Sequence, residues 1–568
     1  MKTSHDVTVL SGIAFAAILT MLATRAPASP TPTCSVSAIA SLAKPEVAVS
    51  TAEPITNAGA TYCRVRGTVA TNGEGAGPGA AGFELDLPTR WNHKLVFLGG
   101  AGFDGALPDP AIPMLARGYV TLGTDSGHVG GAQFVSPVFD ATWARDASGK
   151  RADAAIADFA YRARGQVNTS VRPLVSRFYD GRIRHAYFMG CSGGGREALI
   201  EAQRHPDMFD GFIAGAPGVS PRAQLAVARN FKVFEHTPIP ADKLVALDHE
   251  MLQQCDAADG VVDGLIQNPA ICSFDMHKLV SRGILSPAEA TSLERYMSAV
   301  RDTRGNFVIQ AGAITDLGDR SYTVPGILGG ATGLLTYQTP ATPSGAPSPR
   351  GDDLRGPVSW LVAHGLLADL AFNDPALDIL GNRIFDARGA ILPSAVHVVD
   401  HQLRSGLVDP SQMAEFFATD HKLIIFQGLS DPVNDPYSAV AMYRELTHSA
   451  GGADVARDSA RLFMVPGMQH CHGGSGPNAF DPLAAMESWV EQGIAPDALL
   501  AAKFPDEDRS KPPVRTMPLC PFPAMARYDG KGDVTQASSW RCTPGDRGLE
   551  QIGPAGILAG FDHTLARD

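Results

Sequence analysis

Gly190-Cys191-Ser192-Gly193-Gly194 has the form G-x-S-x-G. That spacing suits nucleophilic attack on an acyl carbon. A serine hydroxyl is a weak nucleophile until a neighbouring base takes its proton. A sharp strand-to-helix turn lifts such a serine clear of the sheet, and the crowded backbone demands the small residues that Gly193, Gly194 and Gly195 supply. A helix beginning near Arg196 would aim its N-terminal amides at the same place. The Gly193 amide would then donate to an oxyanion. The competing reading is a glycine-rich turn with an idle serine. The apolar run His185–Met189 before the motif and the helical run to Arg204 after it favour the first reading.

The base and its acid partner fall in two later segments. In α/β-hydrolases the chain order is Ser, then Asp or Glu, then His, with the acid just past a late strand. Phe426-Gln427-Gly428-Leu429-Ser430-Asp431 puts Asp431 in such a place, and Arg461–Val465 followed by Pro466-Gly467-Met468-Gln469 leads to His470. His470 would take the proton of Ser192 and later pass it to the leaving alcohol, while Asp431 would hold the imidazole tautomer. Asp435 and His472 are the local competitors. Cys191 immediately precedes Ser192, and Cys471 immediately follows His470. A paired serine and histidine bring these neighbours within the Cα separation of about 5.5–6 Å that a disulfide needs. The same argument touches His472, so it supports His470 without deciding the matter.

Gly99-Gly100-Ala101-Gly102-Phe103-Asp104-Gly105 follows an early strand, where a second oxyanion donor belongs; the amide of Gly100 or Ala101 is the candidate. Gly100, Gly102 and Gly105 also spell G-x-G-x-x-G, with Asp125 about 20 residues on, the fingerprint of a dinucleotide-dependent oxidoreductase. Pro108, Pro110 and Pro113 oppose the regular helix that such a site needs. Farther along, Asp256, Asp259 and Asp263 crowd one glycine-containing loop. Hard oxygen ligands at that spacing suit Ca²⁺, with the carbonyls of Val261 and Leu265 completing the set. Cys255 and Cys272 would close the loop. The alternative is a polar loop of Asx-turns; on that view the chain could equally be a non-catalytic binding protein.

The elements that must position these groups are legible as a rhythm. Apolar strands are expected at 82–87, 94–98, 118–123, 185–189 and 211–215, with a long helix from Ala154 to Tyr179. Buried strands alternating with helices indicate a mostly parallel sheet covered on both faces. The rhythm breaks at about Val219 and resumes with a strand at 422–427, a helix at 437–446, a strand at 461–465 and a helix at 482–492. The expected organisation is therefore a core of residues 29–218 and 395–568 interrupted by a lid, 219–394, that carries the Asp-rich loop. Trp360, Phe372, Tyr337 and Tyr322 are the lid aromatics that could form a pocket or its core.

The chain has 568 residues, a net charge of −12 and eight cysteines. The acidic balance argues against a general nucleic-acid or anionic-membrane binder. Lys2, the apolar stretch Val9–Ala23 and Ala26-Pro27-Ala28 read as an export signal over residues 1–28. An even number of widely spaced cysteines without a CxxC fits disulfides in an exported protein, secreted or periplasmic. No membrane anchoring is expected after cleavage, and no signal for an oligomeric state is present.

Taken together, these residues resemble the tannase and feruloyl esterase family. The resemblance runs through Leu87–Asn92, Gly118–Gly130, Asp158–Arg162, Gly190-Cys191-Ser192 with Gly194-Gly195-Arg196, Phe209–Pro217, Cys255–Ile266, Pro466–Cys471, Trp489–Pro496 and Leu519–Cys542. It implies an α/β-hydrolase fold with a large inserted lid and a serine esterase with Ser192, Asp431 and His470 as its triad. It also implies a Cys191–Cys471 bond, structural Ca²⁺ at the loop from Asp256 to Leu265, and the pairs Cys34–Cys63, Cys255–Cys272 and Cys520–Cys542. The implied substrate is a small aromatic ester, feruloyl, hydroxycinnamoyl or galloyl, with no organic cofactor. A hydroxyethyl terephthalate ester is the alternative, although Val433-Asn434 stand where the terephthalate ester hydrolases of the family carry aromatics. Gly193 and Ala101 also depart from the family pattern.

Overall fold

Runs of residues buried on both faces assemble a nine-stranded sheet among the described residues. The computed structural model describes residues 33–131, 137–272, 274–310, 312, 315–318 and 358–544. The expected export signal, Tyr322, Tyr337 and the Pro/Ser/Gly stretch from Thr339 to Gly351 lie outside them. In chain order the strands are β1 (Val47–Asn57), β2 (Ala60–Thr71), β3 (Gly79–Pro88), β4 (Lys94–Leu98), β5 (Val120–Thr124), β6 (His185–Cys191), β7 (Gly211–Gly215), β8 (Lys422–Gly428) and β9 (Ala460–Val465). Their spatial order is β1-β2-β3-β5-β4-β6-β7-β8-β9. From β5 to β9 the pairing is parallel; β1, β2 and β3 extend it in antiparallel register. The fold is that of an α/β-hydrolase.

Alternate residues of each central strand serve opposite faces. Phe97, Phe188, Phe212 and Ile425 pack on one side with Val167, Val171 and Leu199, which come from α1 (Ala163–Tyr179) and α2 (Gly193–Arg204). Val96, Tyr187, Ile213, Ile424 and Phe463 pack on the other with Met486 and Trp489. The parallel strands all point the same way, so the loops after β4, β6, β8 and β9 converge at one edge of the sheet. Ligands collect at that carboxyl edge in sheets of this kind.

The sequence at 47–71 gave no strand expectation. β1 is an edge strand with little buried surface, and its apolar signal is correspondingly weak. The expected continuous helix from Ala154 is instead a short turn of helix, Asp153–Ala157, a widened (π) turn, Asp158–Arg162, and then α1. The widened turn seats Asp158 and Arg162 as a buried pair, Nε to Oδ1 at 2.6 Å. Arg162 also donates to the carbonyls of Gly73 and Gly77, and Asp158 accepts from Thr71, so the pair anchors the β2–β3 connection. Between β7 and β8 the chain builds a separate apolar core around Phe231, Phe234, Leu244, Leu247 and Trp360. Two of its helices are α3 (Ala223–Phe234) and α4 (Ala241–Cys255). No helix among the described residues is long and apolar enough to cross a membrane.

Removing one member of a buried ion pair leaves the other charge uncompensated, at a cost of about 3–5 kcal/mol. Asp158→Ala should therefore lower stability to urea by about that much; a loss below about 1 kcal/mol would show that the pair does not hold the turn.

Candidate active site

Ser192 sits between the last residue of β6 and the first of α2, at φ 61° and ψ −118°. A non-glycine residue in that region is strained and persists only where its surroundings enforce it. The Ser192 amide donates to the Gly215 carbonyl at 2.9 Å, and the Ser192 carbonyl accepts from Arg196 at 3.0 Å. The helix starts at Gly193, three residues earlier than the sequence suggested. The turn can form only because its glycines lack side chains: a Cβ on Gly195 would stand 2.1 Å from the Gly215 carbonyl oxygen.

His470 lies in the loop after β9, and its Nδ1 is 2.8 Å from Asp431 Oδ2. Asp431 is 1% exposed and His470 5%. The Asp431 carboxylate also accepts from the amides of Val433 and Asn434 at 2.8 and 3.0 Å and from Gln427 Nε2 at 2.9 Å. Four donors thus fix its orientation. Asp435 serves a different purpose. It caps the helix Pro436–Ser449, accepting from the Tyr437 amide at 2.9 Å and from Ser438 Oγ at 2.7 Å, and burial pushes its carboxyl up to about 7. His472 is exposed on the rim of the cavity that His470 lines. Cys191 and Cys471 are disulfide-bonded with Cα atoms 6.2 Å apart, which ties the neighbours of Ser192 and His470 together. The other pairs are Cys34–Cys63, Cys255–Cys272 and Cys520–Cys542.

The two second-donor candidates separate. The Gly100 amide donates to Glu197 Oε2 at 3.0 Å, so it is committed within the protein. Gly100 is held in this way, while Ala101 is exposed; both line the cavity with Gly193. Among the described residues no hydrogen bond engages the Ala101 or Gly193 amide. The loop does not lead into the long helix of a dinucleotide site; a five-residue helix, Ile112–Ala116, follows Pro108 and Pro110 and contains Pro113.

Ser192 and His470 open into a cavity of about 490 Å³. Phe103, Phe139, Ile156, Phe159, Val362 and Leu366 form its apolar wall. Arg196 covers the Phe159 ring at 4.4 Å and donates to the Gly406 carbonyl at 2.9 Å. Besides the histidines, the ionisable side chains of the lining among the described residues are Arg151 and Arg196, with no carboxylate. Trp360 is packed against Phe231 inside the lid core, and Phe372 lies under Arg383; neither lines the cavity. The wall residues come from the loop after β4, from the short helix and widened turn that precede α1, and from the helical stretch 358–371; Phe103, Ile156 and Phe159 fall inside segments that the sequence singles out, and Phe139, Val362 and Leu366 do not.

The Asp-rich loop is held by its own backbone. Asp256 accepts from the amides of Asp263 and Gly264 at 3.1 and 3.0 Å, and Asp259 Oδ1 from Val261 at 3.1 Å. Asp263 pairs with Arg515. Asp259 Oδ2 is buried without a partner, and burial pushes its carboxyl up to about 6. Arg515 is paired with one of the three carboxylates, and one carboxylate oxygen of the loop is left without a donor. Among the described residues no three carboxylate, imidazole or thiol groups already converge on one point.

The sequence matches the family described as tannase and feruloyl esterase over residues 63–543. An uncharacterised esterase of Xanthomonas campestris pv. campestris is 30% identical, covering 86% of this chain and 85% of its own length. The mono(2-hydroxyethyl) terephthalate hydrolase of Piscinibacter sakaiensis is 28% identical, covering 85% and 84%. The crystal structure of feruloyl esterase B from Aspergillus oryzae superposes with a TM-score of 0.70 at 20% identity, covering 89% of this chain and 98% of that one. Tannin acyl hydrolase from Aspergillus niger gives 0.69 at 20% identity, covering 94% and 99%.

Gly195→Ala should unfold the turn rather than merely perturb it, because its new methyl meets a backbone carbonyl that cannot rotate away. A thermal melt indistinguishable from wild type would contradict this packing.

Proposed function

The chain belongs to the tannase and feruloyl esterase family and is a carboxylic ester hydrolase, and from that premise we propose that it is an exported serine esterase cleaving esters of aromatic acids. The observation that carries the reading is the meeting of Ser192, His470 and the apolar cavity at one sheet edge, with His470 bonded to Asp431. Ser192 Oγ attacks the ester carbonyl carbon while His470 Nε2 takes its proton, and Asp431 holds the Nδ1–H. The carbonyl oxygen gains negative charge and accepts from the Gly193 and Ala101 amides. Collapse breaks the bond to the alcohol, which leaves with the proton from His470. Water, deprotonated by the same imidazole, then attacks the acyl-enzyme and frees the acid.

The aromatic wall suits the acid part of a feruloyl, hydroxycinnamoyl or galloyl ester. A second reading, an ester of terephthalic acid or another small aryl acid, is favoured by one observation. Among the described residues Arg151 and Arg196 line the cavity without any carboxylate, so an acid part carrying its own anionic group would meet no like charge there. Export is supported by four disulfides among the described residues. Ca²⁺ would be held by Asp256, Asp259 and Asp263 with the Val261 and Leu265 carbonyls. When bound it would neutralise the buried carboxylates and brace the lid; it takes no part in the bond-breaking.

Rates on methyl ferulate, methyl gallate, mono(2-hydroxyethyl) terephthalate and short p-nitrophenyl esters should fall at least about a thousandfold in Ser192→Ala; equal rates for the two proteins would exclude the esterase reading. EGTA should lower the melting temperature and added Ca²⁺ restore it, with no such response in Asp259→Asn. A wild-type melt that ignores chelation would exclude the cation.

A further inference from the structure

Beneath the loop that carries Ala101 lies a set of charged groups that the proposed reaction does not use. Asp104 and Ser126 are 0% exposed, Glu197 and Arg164 1%. Both Glu197 oxygens are engaged. Oε2 accepts from the Gly100 amide at 3.0 Å and Oε1 from Arg164 Nη1 at 3.0 Å, with Ser126 Oγ standing 3.4 Å from Oε1. On its other side the Gly100 peptide is held by its carbonyl, which accepts from the Gly194 amide at 3.0 Å. Both polar groups of Gly100 are therefore fixed, and the next amide in the chain, that of the cavity-lining Ala101, makes no hydrogen bond among the described residues. The Asp104 carboxyl lies against Gly100, since a Cβ there would stand 2.5 Å from Asp104 Oδ2. It accepts from Ser126 through that oxygen, and it also meets the Glu197 carboxyl. Its Oδ1 finds no donor among the described residues.

Two buried carboxyl groups in contact can be accommodated only if one is a neutral acid that donates to the other. Burial first, and then the Glu197 charge, drive the Asp104 carboxyl well above the carboxylate range. Glu197 is the better candidate for the charge because Arg164 and Arg196 lie at 3.0 and 3.7 Å from it. Glu201, 3.4 Å from Arg164 on the far side, completes the set of charged neighbours.

We propose that Glu197 is a positioning residue that presents the Ala101 amide to the developing oxyanion, and that Asp104 acts with it as a protonated acid sharing its hydrogen with the Glu197 carboxylate. The proposal rests on the serine-esterase reading and adds to it the device that aims the second donor. Neither carboxyl touches substrate. In Glu197→Gln the new NH₂ must face either the Gly100 amide or Arg164, both donors, so the isosteric change already breaks the clamp. In Asp104→Asn the amide donates to Glu197 as the acid does.

The test measures kcat and KM for a p-nitrophenyl ester, with melting temperature and fluorophosphonate labelling of Ser192 on each variant. Glu197→Gln and Glu197→Ala should lower kcat about tenfold to a hundredfold, with KM within about threefold. Asp104→Ala should lose kcat similarly, and Asp104→Asn should restore it. If Glu197→Ala does not fold, Glu197→Gln decides. Absence of labelling in the wild type would overturn the esterase reading and this proposal with it. A labelled wild type together with full kcat in Glu197→Gln, a loss confined to KM, or an Asp104→Asn variant as impaired as Asp104→Ala would overturn the proposal alone.

Discussion

Two stretches of backbone meet at the sheet edge so closely that neither has room for a β-carbon. A Cβ on Gly99 would stand 2.7 Å from the Gly194 Cα, and one on Gly193 would stand 2.8 Å from the Gly102 carbonyl. This approach sets much of the site. It lets Ser192 hold a backbone conformation that an isolated chain would avoid. It brings Gly193 and Ala101 together in the lining of one cavity. It also leaves the loop after β4 no freedom to carry bulk on its inner side, so the polar groups that hold it must come from underneath.

They come from charged residues sealed under the loop. Burying a charge is expensive unless it is paired and hydrogen-bonded, and here the pairing is dense: Arg164 reaches Glu197, Glu201, Ser126 and two backbone carbonyls. The Asp158–Arg162 pair does similar work one turn earlier in the chain. Arg162 ends the widened turn and Arg164 stands in the first turn of α1. The irregular helix, the ion pairs and the glycine loop are thus parts of one support, and the cavity wall at Phe159 stands on the same widened turn.

Much of this was legible in the sequence, and the pattern of what was legible has a physical cause. Gly190–Gly194 announces itself because a tight turn dictates small residues at adjacent positions. The strands β4, β6, β7, β8 and β9 announce themselves because burial on both faces leaves continuous apolar runs. The edge strand β1 did not, having almost no buried face. Gly100 and Ala101 could not be told apart, because the deciding partner, Glu197, is about a hundred positions away. Trp360 was named as a possible contact but packs into the lid core; composition shows that a ring is apolar and not which way it faces. Asp104 and Glu197 look like ordinary surface residues until the fold closes over them.

The Cys191–Cys471 bond joins positions 280 residues apart. The entire segment between β6 and the loop of His470, lid included, is therefore a covalent ring whose clasp lies beside Ser192. A single cut anywhere in that ring does not divide the molecule. A protease that nicks the lid leaves one connected polymer, with the two ends of the ring still fastened where Ser192 and His470 stand. The ring is thus a form of damage tolerance: it can be severed once and the strands that lead to the serine and the histidine still cannot drift apart.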